Sequence, residues 1–389
     1  MRLVRSSRGV ITLATALTLA LAAAGNAQAD TRRISDANDR PGRLDIRSAS
    51  HGHSGARVVH TISTFGRWPA RLLGPNTPNL FAVEISTDGD RGLERVVLVF
   101  FQNGRMVAGV FRVRSRRLVF IGSASASKPN ARSVRVSIRR SRLGSPAGYR
   151  WNAYSQFGSA ASGCNLCIDR APNSRRVLHD ITDPTIALTS FPSIPPDIEY
   201  DVSFRVSDTG GAGLSRWRLQ HRPFGTSVWD TVASGSTGGL KSHHHVAEED
   251  DDDQFRVVAV DRQGNRRVSP TRLVSVPIDD TSPDLVYNTL WTPGGEPGDF
   301  MGTLSSSPNM SDSVELMFTG RYVAWVAPGG GDGIASVLID GAHAADVTLA
   351  GFSGRRKIVF ENTFPNVDDH TITITVISGT VPVDGIIVR

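Results

Sequence analysis

The segment from Pro283 to Arg389 carries the pattern that most limits what this chain can fold into. Ser313–Phe318 (SVELMF) alternates polar with apolar residues, and Thr371–Val376 (TITITV) sets Ile372, Ile374 and Val376 on one side of the backbone with three threonines on the other. Successive side chains of an extended strand point to opposite faces, so such alternation in Val, Ile and Thr means half-buried strands of an antiparallel sheet. The same period recurs upstream. Val134, Val136 and Ile138 alternate with Arg135, Ser137 and Arg139, and Phe111, Val113 and Ser115 with Arg112, Arg114 and Arg116. Tyr200, Val202, Phe204 and Val206 alternate too, as do Trp217 and Leu219 with Arg216, Arg218 and Gln220. Val96–Phe101 (VVLVFF) is apolar throughout, which predicts a strand covered on both faces. No long helical period follows the N-terminal segment, and Gly and Pro punctuate the chain often. The expected fold class is all-β.

Residues 1–29 read as a secretory signal. Arg2, Arg5 and Arg8 precede an apolar stretch, Val10–Ala24, and a small-residue cleavage site, Ala27-Gln28-Ala29. The stretch is short for a bilayer span, and the mature chain is expected to have no membrane span. No Cys follows it and no wall-sorting motif closes the chain, so release or non-covalent retention outside the cell is expected. The remaining length, about 360 residues, suits two or three domains. Turn-rich seams near residues 178–183 and 280–284 divide it into segments 30–178, 179–282 and 283–389. We expect three tandem β-sandwiches after the signal, with protease-sensitive junctions between them.

The formal charge of +6 conceals a split. Asp30–Arg176 holds 25 Lys plus Arg against 9 Asp plus Glu, whereas Val177–Arg389 holds 15 against 28. Such asymmetry speaks to partners, not to fold. Wall polyanions, anionic lipid or nucleic acid suit the basic part, and solvated Arg-rich faces are the plain alternative. No specific nucleic-acid partner is expected.

No nucleophile elbow, zinc helix or nucleotide loop is present. Ser159 lies in GSAASG, which lacks the Gly-x-Ser-x-Gly spacing, and Gly329–Gly333 (GGGDG) reads as a turn between strands. Cys164 and Cys167, the only cysteines, form a C-x-x-C pair that export favours as a disulfide. Closing so short a loop contributes about 2 kcal/mol. Asp88, Asp90 and Glu94 offer hard oxygen donors of the kind calcium takes. Gly92 stands where an EF-hand loop has a ligand, and an exposed acidic turn is the competing reading. No other cofactor is expected. His243–His245 can ligate a transition metal. The run that follows, Glu248–Asp253 (EEDDDD), reads as a solvated loop because like charges repel.

Aromatic faces can stack on sugar rings, which directs attention to Trp291, Tyr322 and Trp325. Trp291 lies in a Pro- and Gly-rich stretch (LWTPGGEPG), where a ring can stay exposed, with core or edge packing as the competing reading. Trp325 lies in an apolar strand and reads as core.

Three resemblances follow from these residues. DIRSASHGHSG, STDGDRGLERVV and YRWNAYSQF in the first segment resemble family-nine-type carbohydrate-binding and DOMON-like sandwiches, which implies about nine strands. The second segment, between DPT and DDTSP, resembles bacterial Ig-like and fibronectin-type-III-like modules, which space and present others. In the third, SVELMF, VAWVAPGGGDGIASVLIDG, TITITV and VDGIIV resemble galactose-binding-like jelly rolls. Together they imply a secreted, non-catalytic protein that binds a carbohydrate or cell-wall polymer. One alternative is an adhesion protein that binds surface proteins or polyanions through the basic segment, and another is a polysaccharide hydrolase with an unrecognised site.

Overall fold

The computed structural model describes residues 29–89, 92–159 and 164–389. Of the expected signal, residues 1–28 lie outside the described residues. Every element described is a β-strand or a short 3-10 turn, and no helix among them is long and apolar enough to cross a membrane.

The first segment forms eleven strands: β1 (Ala29–Ser35), β2 (Ile46–Ser54), β3 (Arg57–Thr64), β4 (Leu80–Ser86), β5 (Arg95–Gln102), β6 (Arg105–Arg114), β7 (Arg117–Asn130), β8 (Ser133–Arg139), β9 (Gly148–Ser159), β10 (Cys164–Ala171) and β11 (Val177–Asp180). They form one ribbon in the order β1-β2-β3-β8-β7-β6-β5-β4-β9-β10, with β11 beside β9. The ribbon doubles back at β7, whose first half pairs with β6 and second half with β8. Phe81, Val97, Val110 and Trp151 from one half meet Ile62, Val136 and Ile138 from the other in a single core. The expectation for Val96–Phe101 needs correction. Val97 and Val99 are buried, and so is Val96 on the opposite side, but Leu98 and Phe100 on that side are only half-buried.

This core also encloses polar rings. His60 Nε2 and His179 Nδ1 both meet the Tyr149 hydroxyl, at 2.7 and 2.8 Å. Trp151 Nε1 donates to His51 Nδ1 at 2.7 Å, and the His51 ring stacks on His179. The His60–Tyr149, Trp151–His51 and His51–His179 contacts join β2 or β3 to β9 or β11, so the network ties the two halves together. Burial holds the His60 imidazole well below its usual range, with the neighbouring His51 adding to the effect.

The second segment comprises β12 (Thr185–Ser190), β13 (Glu199–Ser207), β14 (Leu214–Pro223), β15 (Asp230–Gly235), β16 (Gly239–Val246), β17 (Asp252–Asp261), β18 (Arg266–Val268) and β19 (Arg272–Ser275). Sheets β12-β13-β16 and β15-β14-β17-β18, with β19 beside β17, share one core that includes Tyr200, Val202, Phe204, Trp217, Leu219 and Phe255. The third comprises β20 (Ile278–Asp279), β21 (Val286–Tyr287), β22 (Thr292–Gly294), β23 (Leu304–Ser307), β24 (Ser313–Ala327), β25 (Ile334–Ile339), β26 (Ala342–Thr348), β27 (Lys357–Ser378), β28 (Val381–Val383) and β29 (Gly385–Val388). Its larger sheet runs β20-β29-β24-β27-β25-β26, with β21 beside β24, and its smaller one β22-β23-β28. Ile372, Ile374 and Val376 point into its core, as their alternation requires.

The first seam is largely buried, which corrects the expectation of an open junction there; at the second, Asp280 is buried but Thr281, Pro283 and Asp284 are exposed. Asp180 and Ile181 are covered, and Gln263 and Asn265 of the β17–β18 turn clasp the backbone of Leu178 and Asp180. At the other seam, Phe300 inserts into the second core, and Ile194 clusters with Ala324, Val326 and Ile387. The Arg389 guanidinium bonds Asp252 at 2.7 Å and Ser275 at 2.6 Å. Backbone held as at the first seam is closed to a protease, so limited proteolysis of the intact protein should leave 178–181 uncut, whereas the exposed turn at 281–284 stays open to cleavage. Rapid cleavage within 178–181 would show that the Gln263 and Asn265 clasp does not form.

The buried rings generate a pH dependence. Burial, then the charges of Arg32 and His53, hold the His51 imidazole down to about 4, against 6.5 for a free ring. Between those values the unfolded chain binds more protons, so folded-state stability is lost as pH falls from 6.5 towards 4. Relative to His51→Asn, the wild type should lose up to about 3 kcal/mol across that window. Denaturant unfolding at several pH values checks this, and a difference independent of pH would sink it.

Candidate functional site

The uncovered outer face of the ribbon, on β10, β9 and β4, carries the most developed surface feature of the first segment. Strand β9 turns Trp151, Ala153, Ser155 and Phe157 inward. Its alternate residues, Arg150, Asn152, Tyr154 and Gln156, therefore face out. Pairing sets Glu84 of β4 beside Asn152, and Arg170 of β10 beside Tyr154. The Arg170 guanidinium lies 3.3 Å from Glu84 Oε2 and 4.9 Å from the centre of the Tyr154 ring. Beyond β10 the chain turns up through Pro172–Arg176 and forms a wall. The result is a groove of about 850 Å3 lined by Glu84, Leu93, Arg150, Asn152, Arg170 and residues 172–176.

Its chemistry is polar and cationic. Arg150, Arg170, Arg175 and Arg176 face the carboxylate of Glu84 and the amides of Asn152 and Asn173. Asn152 Oδ1 is buried and accepts no hydrogen bond, so a ligand donor here would remove a desolvation cost. Burial pushes the Tyr154 phenol up in spite of Arg170, which keeps it neutral, and its hydroxyl donates to Gln156 at 2.9 Å.

The face continues as an apolar shelf. Strand pairing aligns Gly109, Leu98, Ala82, Tyr154 and Arg170 in one row across β6, β5, β4, β9 and β10. With neighbouring strands about 4.8 Å apart, this row spans roughly 19 Å. Phe111 and the exposed Phe120 meet edge to face at its far end. A Cβ at Gly109 would lie 2.7 Å from the Phe111 ring, so glycine lets that ring lie flat on the sheet.

The residues singled out from the sequence fall elsewhere. Trp291 is 5% exposed and packs against Tyr287 in the third core, which corrects its reading as an open stacking platform. A Pro- and Gly-rich stretch bends the chain, but the indole still finds the end of the sandwich. Trp325 is fully buried in β24. Tyr322 is half-buried beside a separate cluster, with Arg389 4.4 Å above its ring and Glu361 accepting its hydroxyl. The three aromatics share no open surface. Asp88 accepts from the Ser86 hydroxyl, and Glu94 accepts the Thr87 amide at 2.8 Å, so both brace the β4–β5 turn. Asp90 lies outside the described residues. Cys164 and Cys167 are bonded to each other at the start of β10.

The EEDDDD run is only partly a loop. Asp252 and Asp253 open β17, and Asp253 is buried where it receives bonds from His221, from His245 at 2.9 Å and from the Tyr200 hydroxyl at 2.9 Å. Burial opposes its ionisation, but the two imidazoles outweigh that and hold the carboxyl well below the usual range. The acid is buried because it is paired.

Sequence reasoning passed over the groove. The signal was present in YRWNAYSQF, where Arg, Asn, Tyr and Gln occupy the face opposite Trp, Ala, Ser and Phe.

No protein-family model and no curated protein matches the chain. Among solved structures it is similar to a marsupial T cell receptor, at 8% identity and a TM-score of 0.36 over 86% of this chain and 97% of that one. It is similar to carbohydrate-binding modules of the β-sandwich superfamily, at 15% identity and 0.24 over 53% and 98%. A third is an exo-β-1,3-galactanase from Phanerochaete chrysosporium, at 12% and 0.23 over 92% and 100%. At these scores the likeness carries no argument about ligand or activity.

The burial of Trp291 has a measurable consequence. Trp291→Ala should cost about 3–5 kcal/mol of stability in denaturant unfolding. A loss under about 1 kcal/mol, the range of exposed positions, would return the ring to the surface.

Proposed function

We propose that this chain is an exported, non-catalytic binding protein that grips an acidic polysaccharide along the outer face of its first sandwich. The Ig-like segment and the third sandwich hold that face at a fixed orientation. The observation that carries this reading is the groove itself, where four arginines and two amides converge on one side of Tyr154. Guanidinium groups are planar forks that match carboxylate or sulfate oxygens two at a time. Amides and Glu84 suit sugar hydroxyls, and the aromatic shelf suits the apolar face of a ring. Glu84 is the single carboxylate among the described lining residues. Glycoside hydrolysis ordinarily needs a pair of acids flanking the bond, so retention of a chain suits this groove better than its cleavage.

Calorimetric titration of the mature protein with polygalacturonate, alongside neutral dextran, tests the proposal. Polygalacturonate should bind and dextran should not, and the affinity should fall as salt rises. Arg170→Ala and Asn152→Leu should each weaken binding about tenfold or more. Arg135→Ala, on an exposed position of β8, should change it little. Equal losses from Arg135→Ala and Arg170→Ala would reduce the effect to general attraction by a basic surface, and equal binding of dextran would remove the acidic specificity.

A further inference from the structure

A second site lies at the end of the first sandwich, where the two edges of the ribbon meet. Asp36 follows β1, Asp39 lies in the loop beyond it, Asp45 precedes β2, and Asp169 lies on β10. One carboxylate oxygen from each of Asp39, Asp45 and Asp169 comes within 4.8 Å of the others. Asn173 Nδ2 lies 3.4 Å from Asp36 and 3.5 Å from Asp39, so Asp36 belongs to the same group.

Four acids alone would mean little, because acidic turns are common. Asp45 makes this group different. Its side chain is 0% exposed, and neither carboxylate oxygen has a hydrogen bond of ordinary geometry. Asp169 is 2% exposed; its Oδ2 accepts the Ile46 amide at 2.6 Å, and its Oδ1 has no partner. Asp36 Oδ2 is also buried without a partner. A buried ionised carboxylate without a partner is costly enough that proteins avoid it. With one oxygen each of Asp39, Asp45 and Asp169 within 4.8 Å of the others, the ionised carboxylates repel one another.

The other clusters of possible metal ligands lack this signature. Asp180 and Asp261 spend their oxygens on backbone amides and on Asn265, and Asp208 accepts the Gly213 amide. Asp253 is satisfied by two histidines and a tyrosine.

We infer that Asp36, Asp39, Asp45 and Asp169 hold a calcium ion that fastens the edge strand β10 to the start of β2. All the donors are hard oxygens, with no imidazole or thiolate, which suits calcium over zinc or copper. Carboxylates drawn from the β1–β2 connection and from β10 suit the variable coordination of calcium better than the strict octahedron of magnesium. Turned about, the Asn173 amide would present Oδ1 as a further ligand, since its two orientations differ only in hydrogen-bond assignment. The ion would replace mutual repulsion with attraction at the point where the sandwich closes. This inference does not rest on the polysaccharide reading.

The test is titration of the chelator-treated mature protein with calcium chloride, and in parallel with magnesium chloride, read by calorimetry and by thermal unfolding. Calcium should bind and raise the unfolding midpoint by several degrees, and magnesium should bind at least about tenfold more weakly. Asp45→Asn removes a buried charge, so its metal-free midpoint should equal or exceed that of the metal-free wild type while its calcium shift disappears. Should that variant fail to fold, Asp39→Asn, at an exposed loop position, serves instead. Its metal-free midpoint should equal or exceed that of the metal-free wild type, and it should weaken calcium binding at least about tenfold. The inference is overturned if calcium produces neither heat nor shift in the wild type, or if the shift survives undiminished in the variants.

Discussion

The first sandwich depends on closing a single ribbon of sheet on itself. Strand β7 makes the bend, because its two halves pair with different neighbours, and apolar burial drives the two halves together. Burial has no direction, so it does not decide how the halves register. Polar groups inside the core do that. The Tyr149 hydroxyl between His60 and His179, and the Trp151 indole on His51, meet only in one alignment of β2 and β3 over β9 and β11. A buried polar ring without its partner is costly, so a shifted register would be penalised at several places together. The carboxylates of Asp45 and Asp169 sit at the remaining open corner of the same closure.

Closure also creates the groove. Once β4, β9 and β10 turn their apolar residues into the core, the polar half of each alternation is left facing out, with no further layer to cover it. Cross-strand pairing then decides which outward residues become neighbours. Arg170, Tyr154, Asn152 and Glu84 are far apart along the chain but adjacent across the sheet. The site is therefore a property of register, and a slip of one residue would turn its side chains into the core.

The three segments are joined by contacts rather than by linkers. The clasp of Gln263 and Asn265 on the first seam, and Phe300 and Arg389 at the second, resemble interior packing more than a flexible hinge. Charge enters here as well. The acidic run beside the second seam is partly spent on Arg389 and on the His221–His245 pair, which is why a stretch that reads as a solvated loop ends in buried strand.

The sequence by itself determined the all-β class and the inward and outward faces of most strands, as in Val134–Ile138, Tyr200–Val206 and Thr371–Val376. Period-two alternation is local, and local pattern decides which side of a strand is apolar. It determined the C-x-x-C spacing and the basic character of the first segment in the same way. Only the tertiary structure decided what lies against each face. It buried Trp291 despite its turn-rich surroundings, left Leu98 and Phe100 half-open in a run that reads as covered, and gathered Asp36, Asp39, Asp45 and Asp169 across more than a hundred residues of chain. Those outcomes depend on which strands pair and where the ribbon folds over, and such long-range contacts leave no periodic mark on the residues that make them.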